Sequence, residues 1–185
     1  MTNRLKSPET IHLRDYKTHA YLVEQVELTF VLEPSATQVQ SRVQLYRNPD
    51  RAVAEPLVLA GNSMQLIGIK LDGTVLSENA YQLDGDNLTI LNVPEKFTLE
   101  IETQIDPAGN TSLEGLYQSS GNFCTQCEAH GFRKITYYPD RPDVMACFRV
   151  RIEADKQYPV LLSNGNLVGQ GDLPDCRHYA EWEDP

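Results

Sequence analysis

The chain has 185 residues, 41% hydrophobic and 23% charged, proportions ordinary for a globular protein. One cooperative core can form at this length, and no run approaches the roughly 18 apolar residues of a membrane span, so no membrane partner is expected. With 26 Asp and Glu against 16 Lys and Arg, the formal net charge of −10 repels phosphate backbones and argues against nucleic acid as a partner.

In chain order, residues 1–8 carry positive charge but lack the apolar stretch of a signal peptide, which points to the cytoplasm. Residues 21–32 alternate, with Val26, Leu28, Phe30 and Leu32 on one face and Glu27 and Thr29 on the other, the pattern of a half-buried strand. After Pro34-Ser35-Ala36 the alternation resumes through Val39, Ser41, Val43 and Leu45, predicting a hairpin partner. Further strands are expected over 56–59, 66–71, 87–91 and 97–103, punctuated by Asp72-Gly73, Asp84-Gly85 and Val93-Pro94. Residues 148–154, 159–165 and 179–183 continue the series, with a short strand at 166–168 and Gly165, Gly169 and Gly171 read as hairpin turns. No amphipathic helix longer than two turns stands out. The pattern predicts an all-β, sandwich-like domain spanning 1–185. The end at Trp182-Glu183-Asp184-Pro185, straight after a strand signal, reads as a domain boundary.

Alternation fails over about 110–143, where Gly115, Gly121, Gly131, Pro139 and Pro142 crowd together. A long irregular stretch inside a compact domain is more often a functional loop than a plain connection. It carries Gln126, Glu128, Tyr117, Tyr137, Tyr138, Arg133 and Arg141, a set able to bind a small polar ligand, although solvated loop residues with structural ion pairs are the commoner explanation of such a set.

Four cysteines lie at 124, 127, 147 and 176. The Cys124-Thr125-Gln126-Cys127 spacing suits a metal knuckle or a redox pair, but Cys147 and Cys176 stand alone and no βαβ context follows, so reduced, partly buried thiols are the better reading. The histidines, His12, His19, His130 and His178, form no His-Glu-x-x-His pair, and a nucleophile elbow, a Walker loop and a convincing dinucleotide fingerprint are all missing.

Several ordered motifs fall in and beyond that stretch: Gly-Leu-Tyr-x-Ser at 115–119, Cys-Thr-Gln-Cys-Glu-Ala at 124–129, Gly-Phe-Arg at 131–133 and Tyr-Tyr-x-Asp-Arg-Pro-Asp-Val at 137–144. Leu-Leu-Ser-Asn-Gly-Asn at 161–166 and Trp-Glu-Asp-Pro at 182–185 extend them to the end of the chain. In order and spacing they resemble the bacterial alanyl aminopeptidase, or aminopeptidase N, branch of the gluzincin zinc aminopeptidases. The resemblance implies a saddle-shaped, mostly antiparallel N-terminal β domain packed against a thermolysin-like catalytic domain of the same polypeptide. It further implies that Gln126 and Glu128 reach into the active site, Glu128 binding the free α-amine of a peptide substrate. The family's zinc ligands and the tyrosine that stabilises its tetrahedral intermediate are absent, so Zn2+ is expected in the longer protein, none is expected on this chain, and no catalytic residue is assigned here. The rival expectation is a β-sandwich scaffold or protein-interaction module without catalytic function.

Overall fold

The computed structural model describes residues 10, 12–51 and 55–185, so the amino-terminal residues read above for a signal peptide lie outside it. Thirteen strands and three short 3₁₀ turns make up the regular structure of the described residues, with no α-helix among them. The architecture is all-β, as the alternation predicted, and mostly antiparallel, as the resemblance implied.

Two eleven-residue strands, β1 (Tyr21–Val31) and β2 (Thr37–Arg47), form the expected hairpin. In β2 every second residue from Thr37 to Leu45 is buried, the signature of a strand with one solvated face. In β1 a register shift between Val23 and Gln25 changes the phase. Tyr21 and Val23 therefore face inward together with Val26, Leu28 and Phe30, which simple alternation would forbid.

β2 pairs on its far side with β8 (Lys96–Ile105), which contributes Phe97, Leu99, Ile101 and Ile105 to the core. β4 (Gln65–Leu71) and β5 (Thr74–Val75) follow. On the other side β1 runs parallel to β11 (Cys147–Asp155), itself followed by β13 (Arg177–Asp184) and β12 (Asn166–Leu173). The eight strands are ordered β12-β13-β11-β1-β2-β8-β4-β5.

A second sheet is built from β3 (Leu57–Ala60), β6 (Tyr81–Leu83) and β7 (Asn87–Ile90), in the order β3-β7-β6. Leu57, Leu59, Leu88 and Ile90 are at most 1% exposed and belong to the same hydrophobic cluster as the large sheet. Each such side chain stabilises the fold by roughly 1.5–3 kcal/mol through removal from water.

Two expectations need correction. Residues 159–165 form no strand: Leu161 is buried but Val160 and Leu162 are exposed, and Pro159 offers no amide hydrogen to a ladder. Gly169 and Gly171 are not hairpin turns but lie inside β12, where the ring of Tyr179 would stand 3.0 Å from a Cβ at Gly171. The β12–β13 turn is instead made by Pro174, Asp175 and Cys176, with the Arg177 amide donating to the Pro174 carbonyl at 3.2 Å.

Candidate functional site

The stretch read as irregular contains a hairpin. β9 (Gly115–Ser119) and β10 (Asn122–Gln126) pair antiparallel around a two-residue turn, Ser120-Gly121, with φ of 50° and 82°. Positive φ at both central positions matches the twist of the flanking strands. β10 ends at Gln126, opposite Gly115. The two-sided character of a strand persists one step further: Cys127 packs against the core while Gln126 and Glu128 are exposed. Gln126 Nε2 donates to the Glu128 carbonyl at 3.2 Å, so the two candidate residues are tied directly to each other. The Glu128–Ala129 peptide is cis.

Two glycines fix this segment in place. The Gly131 amide donates to the Cys127 carbonyl at 2.7 Å and closes the turn over 127–131. A Cβ on Gly131 would lie 2.3 Å from the Gln126 carbonyl oxygen, 2.8 Å from Cys127 Cα and 3.1 Å from the Gly115 nitrogen. At Gly115 a Cβ would meet Lys134 Cβ at 2.7 Å and the Gly131 carbonyl oxygen at 3.1 Å, and φ is +71°. Two backbones therefore cross here with no room for a side chain between them, a requirement only glycine meets.

Behind the crossing lies a short 3₁₀ turn, Phe132–Lys134, and a buried run from Ile135 to Asp140. Phe132 meets Tyr138 edge to face at 4.8 Å between ring centroids and Phe148 at 6.2 Å. Tyr138 pairs with Ala60 of β3 through both backbone bonds, 2.9 and 3.1 Å, and the buried Thr103 hydroxyl donates to the Ile135 carbonyl at 2.9 Å. Asp140, only 7% exposed, accepts from Arg133 Nε at 2.8 Å and from the Arg133 amide at 3.2 Å through the same oxygen. Arg133 Nη2 donates to the Asp140 carbonyl at 3.0 Å.

The loop therefore displays less than its sequence suggests. Tyr137 and Tyr138 are buried and Arg133 is committed to Asp140. Arg141 is bound to Asp143 through Nε and Nη2 at 2.8 and 2.7 Å, and Asp143 also accepts from the Tyr16 hydroxyl at 2.6 Å. Hydrogen bonding to Arg141 holds the Asp143 carboxyl below the usual aspartate value, and hydrogen bonding to Asp143 pushes the Tyr16 phenol up. Gln126 and Glu128 remain as an exposed amide and an exposed carboxylate two positions apart. An acceptor-only carboxylate suits an ammonium group, and an amide that both donates and accepts suits a carbonyl.

Among the described residues no three of His, Cys, Asp and Glu stand together as a metal site. Burial, helped by the nearby Asp140 charge, pushes the Cys127 thiol up to about 11, which opposes the thiolate that a metal ligand or redox thiol requires. All four cysteines are free.

The sequence pointed to Gln126 and Glu128 but not to the residues that hold them. The Arg133–Asp140 pairing spans seven positions with no repeating pattern to announce it. The Ser120-Gly121 dipeptide was a usable hairpin signal between two short strands.

Known proteins resemble this chain in sequence and in fold. Aminopeptidase N of Caulobacter vibrioides is 47% identical over 182 residues, 98% of this chain and 21% of its own length. Aminopeptidase N of Escherichia coli is 45% identical over 97% of this chain and 20% of its own. The chain thus spans about a fifth of the curated relatives it matches. A crystal structure of Legionella pneumophila aminopeptidase A, in complex with aspartic acid, superposes with a TM-score of 0.87 at 35% identity, covering 93% of this chain and 20% of that one. An M1 zinc metallopeptidase of Deinococcus radiodurans shares the fold, with a TM-score of 0.73 at 15% identity, covering 89% of this chain and 39% of that one. Residues 23–185 match the family model described as the peptidase M1 N-terminal domain, and the chain belongs to that family.

Proposed function

We propose that this chain is the N-terminal substrate-recognition domain of a zinc-dependent aminopeptidase, which removes N-terminal amino acids from peptides, and that Gln126 and Glu128 read the substrate's free α-amine. The observation that carries this reading is that Gln126 and Glu128, both exposed and joined by the bond from the Gln126 amide to the Glu128 backbone carbonyl, stand on a backbone fixed by Gly115 and Gly131. An exopeptidase must distinguish a terminal ammonium from an internal amide. A fixed carboxylate does so through a charge-assisted hydrogen bond of roughly 1.5–3 kcal/mol. The same bond orients the substrate, so its loss disturbs positioning as well as affinity. Gln126 is suited to the carbonyl or side chain of that first residue.

In this reading the metal and the hydrolytic residues sit on the catalytic domain of the same polypeptide, this chain's principal partner, and the 185-residue piece has no peptidase activity alone. The domain assignment of 1–185 as a single unit belongs to the same proposal. The relatives' names support the activity, and the Legionella relative is in complex with a free amino acid, aspartic acid. Four free cysteines suit a reducing cytoplasm. No helix among the described residues is long and apolar enough to cross a membrane.

The test is Glu128→Gln in the complete protein, assayed on aminoacyl arylamides. We expect a rise in KM and a fall in kcat/KM of about tenfold to a hundredfold, the equivalent of the bond energy above. Unchanged kinetics would reject the amine-anchor role. Turnover by the 185-residue piece with added zinc would reject the division of labour.

A further inference from the structure

Among the described residues, one buried charge, Asp140, lies behind the segment that carries Gln126 and Glu128. Asp140 is 7% exposed, and a buried carboxylate is tolerated only when paired and hydrogen-bonded. Its Oδ2 accepts both the Arg133 backbone amide and Arg133 Nε, and its carbonyl accepts Arg133 Nη2. Three bonds thus bind residue 140 to the first turn of the Phe132–Lys134 segment, whose start is Gly131. At the start of an α-helix the preceding residue often carries a side chain that caps the exposed amides. Here none can stand, because a Cβ would meet the Gln126 carbonyl oxygen at 2.3 Å. The acceptor arrives instead from nine positions along the chain.

Resting on the reading above, we propose that Asp140 is a positioning residue for Gln126 and Glu128, acting through Arg133 and Gly131. The route is short and continuous. Asp140 fixes the Arg133 amide, Arg133 fixes the turn that begins at Gly131, and the Gly131 amide holds the Cys127 carbonyl at 2.7 Å between the two substrate-facing residues. The other end of the clamp is anchored twice. The Arg133 carbonyl accepts the Asn62 amide at 3.0 Å, and Tyr138, two residues before Asp140, is bridged to Ala60. Loss of the Asp140 charge leaves Arg133 partly buried without its counter-ion and frees the turn to rotate, while the strands beneath keep their ladders.

The test is a double-mutant cycle in the complete protein with Asp140→Asn and Glu128→Gln, following KM and kcat separately on aminoacyl arylamides, with thermal unfolding measured on each variant. Asp140→Asn is expected to lower kcat/KM on the order of tenfold or more, mostly through KM, because displacement of a positioning group by about 1 Å can cost up to 10²-fold. In the Glu128→Gln background the same change is expected to add almost nothing, since both act on one contact. A purely structural role would lower the amount of active protein and leave KM alone. Arg133→Lys keeps the charge but loses the Nη2 bond to the Asp140 carbonyl. It is expected to shift KM in the same direction, and it carries the test if Asp140→Asn does not fold. An unaltered KM in both variants, or effects that multiply with that of Glu128→Gln, would overturn the inference. A wild-type Glu128→Gln would instead overturn the reading on which it rests.

Discussion

Gly131→Ala is the smallest change that addresses the site directly. The added methyl would sit 2.3 Å from the Gln126 carbonyl oxygen and 2.8 Å from Cys127 Cα, both backbone atoms that cannot rotate away. Ordinary separation between non-bonded carbon atoms begins near 3.5 Å, so the backbone over 126–128 must retreat by about 1 Å. Overpacking of this kind typically costs about 1–3 kcal/mol of stability. A displacement of about 1 Å at a group that places the substrate can lower kcat/KM by up to about 10²-fold, equivalent to roughly 2.7 kcal/mol of transition-state stabilisation. The assay is steady-state hydrolysis of an aminoacyl arylamide by the complete protein, beside its melting temperature. Gly68→Ala is the control, since nothing lies within 4 Å of a Cβ there. Should Gly131→Ala keep wild-type kcat/KM, or Gly68→Ala lose as much, the glycine crossing does not position the site.

Thiol reactivity should divide the cysteines. Cys147 and Cys176 are exposed, whereas a thiol at about 11, such as Cys127, is only about one part in a thousand thiolate at pH 8. Iodoacetamide with mass-spectrometric readout should label Cys147 and Cys176 well before Cys127, and equal rates would contradict the inward placement of Cys127. The Tyr16–Asp143–Arg141 cluster should contribute on the acid side. A carboxyl held below its ordinary value stabilises the fold above that value, and the contribution is lost as pH falls through the folded value. The difference in urea midpoint between wild type and Asp143→Asn should therefore be present at neutral pH, shrink once pH falls below the ordinary aspartate value of 3.8, and vanish only below the lower folded value. The difference is expected to stay under about 1 kcal/mol, because Asp143 lies at the surface. An undiminished difference in acid would show that the Asn variant acts by some route other than charge.

Much of the fold was legible because the long central strands bury one face only. β2 and β8 write that alternation directly into Val39, Ser41, Val43, Leu45 and into Phe97, Leu99, Ile101. It faltered where an apolar run met no partner strand, as at Val160 and Leu162, and where strands are short and polar, as in Asn122–Gln126. The parallel pairing of β1 with β11, which joins Gln25 to Cys147, leaves no local trace at all. Gln126 and Glu128 came from the resemblance, since an exposed amide and carboxylate are not distinctive by type. Their mutual hydrogen bond and the inward turn of Cys127 between them are visible only in the folded chain.

By itself the sequence determined the all-β class, the long β1–β2 hairpin and the family motifs, because these depend on residue periodicity and local order, which a linear chain records. Tertiary structure decided which side chains of the 110–143 stretch remain available. It buried Tyr137 and Tyr138, paired Arg133 with Asp140 and Arg141 with Asp143, and drew Gly115 against Gly131. The reason is physical: burial and counter-ion pairing are settled by neighbours brought from elsewhere along the chain, and no count of local spacing contains them.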